Sequence, residues 1–169
     1  MKAFVTMMAG YNAWANTRLY AAVETLSEAQ YFEDRGAFFG SLHGTLNHIL
    51  VGDHIWMHRF TGDGPLPAQL DTVLHDTLTA LRAAREAEDA RIIAYTNGLS
   101  EADLRHTFTY TPVTSPEPVT QPLAPALAHL FNHQTHHRGQ AHGMLSQLSV
   151  DPPSLDLIRY QRERGVGMG

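Results

Sequence analysis

The chain has 169 residues, 43% of them apolar and 17% charged, with a formal net charge of −5, which fits one globular domain able to bury a core. With no Lys/Arg run to neutralise phosphates and no apolar stretch long enough to span a bilayer, neither nucleic acid nor a membrane is an expected partner. Cysteine is absent, which excludes disulfides, thiolate zinc sites and a cysteine nucleophile, and the broken apolar run over Met1 to Gly10 is too weak for a secretory signal, so the expected location is cytoplasmic.

Phe4, Met8, Tyr11, Ala15, Leu19, Ala22 and Leu26 recur at three- and four-residue intervals and predict an amphipathic first helix. Ser27-Glu-Ala-Gln30 reads as a capping box opening a short turn. A second helix is predicted from Ser41 to about Thr61, stopped by Gly62-Asp-Gly64-Pro65. Asp71 is the expected cap of a long third helix carrying Val73, Leu74, Leu78, Leu81, Ile92 and Tyr95, with Asn97-Gly98 as its left-handed stop. His106 to Pro112 alternates polar and apolar residues, and Pro116 and Pro118 follow, so 106–120 reads as a short hairpin or extended loop. The fourth helix is predicted from near Thr120, with Pro122 in its first turn, to about Leu148; Pro125 shifts that start a few residues later. Asp151-Pro-Pro-Ser154 ends it, and Ser154 is the expected cap of a small helix over 155–163. The expectation is an all-α four-helix bundle over 1–163, with a long connection between helices three and four, a short C-terminal helix and a flexible tail over 164–169.

Histidine is the unusual residue: there are eleven, against a single Lys2. Five of them fall in the fourth helix, in or just after the run His129-Leu-Phe-Asn-His133-Gln-Thr-His136-His137-Arg-Gly-Gln140. His133 and His137 are four apart, on one face about a turn from each other, a spacing that lets two neutral imidazoles bind one divalent metal. At about 100° per residue, His137 falls inside the apolar arc of Leu127, Leu130, Phe131, Ala141, Met144 and Leu145, and His133 at its edge. His129 and His136 point further toward the polar side. A buried imidazole pair with neither metal nor hydrogen-bond partners is costly, which favours the ligand reading over a merely polar, solvated stretch.

One pair is too few ligands for a tetrahedral or octahedral site, so another helix must contribute. The second helix offers His43, His48, His54 and His58, and periodicity leaves the choice open. His48 shares its face with Gly44, Thr45, Gly52 and Ile55, mostly small groups that leave room around a ring. His54 and His58 form a rival four-apart pair, read as solvated or dimer-facing surface. His75, His106 and His142 are isolated and read as structural or exposed. Glu-x-x-His pairs of the carboxylate di-iron type, His-Glu-x-x-His, a Gly-rich phosphate loop and Gly-x-Ser-x-Gly are all absent.

The segment Phe39-Gly-Ser-Leu-His-Gly-Thr-Leu-Asn-His48-Ile-Leu-Val-Gly-Asp-His-Ile-Trp56, taken with the His129 to Gln140 run, resembles the DinB (damage-inducible) family. The likeness extends over the first helix, Ala83 to Asp89 and the Pro-Ser-Leu-Asp156 end, nearly the whole chain. The resemblance implies a four-helix bundle with a three-histidine divalent metal site, zinc or nickel, whose ligands fall here on His48, His133 and His137. It implies no counterpart for the Pro-rich stretch 112–118, which sits in a variable connection. Family members of known activity are thiol-dependent transferases and isomerases using low-molecular-weight thiols such as bacillithiol or mycothiol.

The functional expectation is therefore a metal-dependent enzyme activating a small exogenous thiol or water, with a small-molecule substrate. The alternative is a non-catalytic metal-binding stress-response or interaction protein. Asp53 and Arg138 are the only evident acid and base beside the candidate ligands. A homodimer is also expected: the family often pairs through helices, and Phe38, Phe39, Trp56 and Phe60 exceed what one small core obviously needs.

Overall fold

The computed structural model describes residues 1–167. In chain order the elements are α1 (Lys2–Val23), a short α2 (Glu28–Phe32), α3 (Leu42–Thr61), α4 (Leu78–Gly98), a single 3₁₀ turn (Asp103–Arg105), β1 (Thr107–Tyr110), β2 (Val119–Pro122), α5 (Leu123–Gln147) and a short α6 (Leu157–Arg164). The fold is mostly helical. The antiparallel ribbon, pairing Thr107 with Pro122 and Tyr110 with Val119, falls where a short hairpin or extended loop is expected, and it makes the class mostly helical with a two-stranded sheet rather than all-α. No helix among the described residues is long and apolar enough to cross a membrane.

α1 packs on α4 and α5, and α3 packs on the same two, which places α1 and α3 at opposite corners. Along the four long helices the core divides into two main apolar clusters, and a smaller third one, Tyr11, Trp14, Ala15 and Tyr160, joins α1 to α6. Of the main two, one gathers Val5, Ala9, Trp56, Ile92, Leu127 and Phe131; the other gathers Leu19, Leu46, Leu50, Leu81, Met144 and Leu145. α1 and α5 therefore run from the first cluster to the second, and α3 and α4 run back. Between the clusters every long helix presents buried polar side chains: Asn12 and Asn16, Asp53, Arg85 and Asp89, Gln134 and Arg138. The domain is thus apolar at both ends and polar across its waist.

Several helix ends follow the local chemistry read from the sequence. Ser27 and Gln30 form the reciprocal capping box, Ser41 caps α3 by accepting from the Gly44 amide, and Gly62 closes α3 in the left-handed conformation. Others differ. α4 begins at Leu78 under a Thr77 cap, rather than after Asp71. The preceding stretch is held as loop by α3: Asn47 Oδ1 accepts from the Leu74 and His75 amides (2.8 and 3.1 Å), and Asn47 Nδ2 donates to the His75 carbonyl. Leu74 still packs on the core from this loop, so its apolar character gave no helix signal of its own. Gly98 is the last helical residue and is not left-handed; the chain leaves through Leu99 in extended conformation. α5 starts at Leu123, because the preceding four residues pair as β2. α6 is preceded by Asp156 rather than Ser154. The tail expected over 164–169 lies partly outside the described residues; within them Gly165 is left-handed and Val166 packs beside Tyr11, Trp14 and Tyr160.

Phe4, the first residue of the predicted apolar stripe of α1, is 43% exposed. Of the four aromatics read as surplus, Trp56 and Phe60 belong to the first cluster and Phe39 lies over His48. Only Phe38 stands out into solvent, at 83% exposure.

Candidate metal centre

α3 and α5 pack directly on each other, and their contact brings His48, His133 and His137 together. These three form a group whose ligand atoms lie within 4.8 Å of one another and could hold a metal ion. His48 Nε2 is 3.1 Å from His133 Nε2 and 3.1 Å from His137 Nε2. Two nitrogens bound at about 2.0–2.1 Å to one ion stand roughly 2.8–3.4 Å apart at octahedral to tetrahedral angles.

The outer ring nitrogens decide what the inner ones carry. His48 Nδ1 is 2.7 Å from the Leu70 carbonyl, which can only accept. His137 Nδ1 is 2.8 Å from Gln140 Oε1, whose amide nitrogen faces His136. Both Nδ1 atoms therefore carry the proton in the neutral rings, and both Nε2 atoms present lone pairs. Two lone pairs facing each other at 3.1 Å repel unless a proton or a cation lies between them. A proton is disfavoured: burial pushes His48 down to about 4 and His133 to about 3, and lowers His137 as well. The donor set therefore fits a divalent cation held by neutral imidazoles.

Small residues make this convergence possible. A Cβ at Gly52 would meet His133 Cε1 at 2.7 Å, so the glycine opens the space that ring occupies. A Cβ at Gly44 would meet the Phe39 carbonyl at 2.2 Å. Its absence lets the chain before α3 fold close and stack Phe39 on His48, with ring centroids 3.7 Å apart. The small face around His48 serves His133 and Phe39, a division of labour periodicity alone does not reveal.

The remaining histidines go elsewhere. His54, read as solvated or dimer-facing, instead turns toward α4, where its Nε2 is 3.6 Å from Glu88 Oε2. His58 bonds the Gly64 carbonyl and His43 the His75 carbonyl. His136 is exposed, and His129 lies at the rim against Trp56, with ring centroids 5.0 Å apart. Asp53 and Arg138 do not reach the three rings. Asp53 accepts from Arg85 (2.5 Å) and from Gln134. Arg138 donates to Asn12, Asn16 and Gln134. Asp89 joins the same waist through Arg85 and Asn16, both at 3.0 Å. This network escaped the sequence reading, although three four-apart polar pairs mark it: Asn12/Asn16, Arg85/Asp89 and Gln134/Arg138.

A cavity of about 270 Å³ opens beside the centre, lined by His48, His133 and His129, by Trp56 and Arg59 of α3, by Tyr110 at the end of β1, and by Pro112, Val113 and Thr114 of the connection that follows it. The Pro-rich connection thus supplies a wall of the candidate site.

Residues 1–166 match the DinB family. Over 95% of both chains the sequence is 24% identical to Protein DinB of Bacillus subtilis (strain 168). A DinB-like protein from Bacillus cereus ATCC 10987, whose crystal structure is known, superimposes with a TM-score of 0.61 at 17% identity, covering 83% of this chain and 89% of that one.

Proposed function

This chain belongs to the DinB family, and we propose that it is a metal-dependent enzyme in which His48, His133 and His137 hold one divalent ion, zinc or nickel, to activate a small exogenous thiol or water against an electrophile. The observation that carries this reading is the pair of Nε2 lone pairs converging at 3.1 Å, beside a cavity open to small molecules. When bound, such an ion supplies Lewis acidity and lowers the pKa of a coordinated thiol or water. The rest falls to the chain itself. Leu70 and Gln140 fix the tautomers and orientation of two rings, Gly52 admits the third, and Phe39 stacks on the face of His48. Because the chain has no cysteine, a thiol nucleophile must come from solution.

The test is thiol consumption by metal-loaded protein, using a panel of low-molecular-weight thiols and electrophiles, with His133→Ala as control. Turnover that depends on metal and disappears in the variant supports the proposal. A protein that binds metal yet accelerates none of these reactions, including hydrolysis, is instead a metal-binding stress-response or interaction protein.

A further inference from the structure

Arg59 lies one helical turn beyond Trp56 and Ile55 on α3, and its surroundings differ from those of the other half-buried arginines. Arg35, Arg82 and Arg91 each meet a carboxylate. Among the described residues Arg59 meets none; its one hydrogen bond is a long contact of 3.4 Å to the Thr111 carbonyl. The guanidinium is held by aromatic faces instead, 4.7 Å from the centroid of Trp56 and 4.3 Å from that of Tyr110. That clamp fixes its plane while leaving most of its five N–H donors unused.

Arg59 also joins two cavities. One is the space beside His48 and His133; the other, of about 570 Å³, continues under Leu66, Pro67 and Thr109, and Tyr110 and Val113 line both. No Asp or Glu lines either one, in a chain whose net charge is −5. Burial weakens the hold of Arg59 on its proton, and the neighbouring Tyr110 hydroxyl offsets only part of the lost hydration. Its pocket is carboxylate-free, aromatic-walled and charged at one point.

From this geometry we infer that Arg59 is the anion-recognising residue of the site, and that the substrate class is a small organic molecule bearing a carboxylate. The carboxylate seats on the free edge of the guanidinium, and the apolar remainder lies along Trp56, Tyr110 and Val113 toward the histidines. The inference deepens the proposed function and rests on that reading only for what happens at the histidine end. A carboxylate accepting two parallel N–H bonds from a fixed guanidinium is bound far more strongly than a neutral isostere.

The probes are 3-phenylpropanoate and its uncharged amide, 3-phenylpropanamide, titrated by ligand-observed NMR into protein stripped of metal and into metal-loaded protein. Metal content is measured in the same samples. The expected result is a preference for the carboxylate of about tenfold or more, lost in Arg59→Gln with amide affinity unchanged, and retained in part by Arg59→Lys. Equal affinity for the two probes in the native protein overturns the inference. So does a preference that survives Arg59→Gln, or loss of both probes in both variants, which makes Arg59 merely structural. Protein that prefers the carboxylate but takes up no metal keeps the anion site and removes the metal centre. Protein that takes up metal without the preference does the reverse.

Discussion

Gly52 of α3 and His133 of α5 are matched across the helix contact: a Cβ on residue 52 would come within 2.7 Å of His133 Cε1 and 3.1 Å of its Nδ1. In metal-free protein the ring can swing aside, and alanine at a helix interior is otherwise favoured over glycine by about 0.5–1 kcal/mol. In metal-loaded protein the ring has to stay. Gly52→Ala is therefore expected to leave the metal-free melting temperature unchanged or raised, and to weaken metal affinity. Thermal unfolding with and without added metal separates the two; an unchanged affinity would show that the glycine does not set the ring's place.

Gln140 holds His137 by accepting from its Nδ1 at 2.8 Å. Gln140→Leu removes that acceptor from a half-buried position with little loss of packing. The expected result is a metal affinity about 10- to 100-fold lower, the usual effect of removing a partner that orients a ligand. Circular dichroism should be unaltered. Competition with a chromophoric chelator measures the change.

Arg85 is 1% exposed and neutralises two buried carboxylates, Asp53 at 2.5 Å and Asp89 at 3.0 Å. Burial already pushes Asp53 up to about 6 despite that cation. Arg85→Met removes the cation that is ion-paired directly with both acids, leaving only the more distant charge of Arg138 in the waist, and a loss of about 3–5 kcal/mol is expected. Denaturant unfolding at pH 7 is the measurement. A loss below about 1 kcal/mol would mean that the waist tolerates its acids protonated.

His54 provides a test of pH dependence away from the centre. Burial, with Arg85 and Arg91 nearby, lowers it from 6.5 to about 4, so it folds as the neutral imidazole. A depressed histidine contributes stability that is present above the unfolded value of about 6.5 and is lost as pH falls through about 4. His54→Gln should therefore flatten the decline in the denaturant midpoint between pH 7 and pH 4.5, compared with metal-free native protein. If the 3.6 Å approach to Glu88 outweighs burial and the two arginines, the variant will steepen the decline instead.

Much of this arrangement can be read in the chain, and what cannot has identifiable causes. Ser27, Ser41 and Gly62 act within a few residues of themselves, so the ends of α2 and α3 follow from local chemistry. The 66–77 stretch is governed by Asn47, His43 and His48 on another element, and no local pattern announces that. His133 and His137 stand out by their spacing. Choosing His48 among four histidines of α3 needed either the family resemblance or the packing of α3 on α5. Arg59 gave no signal, because its role comes from Tyr110 across the ribbon.

On the proposed reading His48, His133 and His137, and no other histidines, hold one divalent ion, and elemental analysis of purified single variants is the decisive measurement. Native protein is expected to carry one zinc or nickel per chain. His48→Ala, His133→Ala and His137→Ala should each lose most of it while remaining folded, and each should lose the stabilisation that bound metal adds, about 4 kcal/mol at a thousandfold excess over its dissociation constant. His54→Ala, His58→Ala, His129→Ala and His136→Ala should keep their metal. Retention of metal by His48→Ala together with its loss in His54→Ala or His58→Ala would place the third ligand elsewhere on α3 and overturn the assignment of His48.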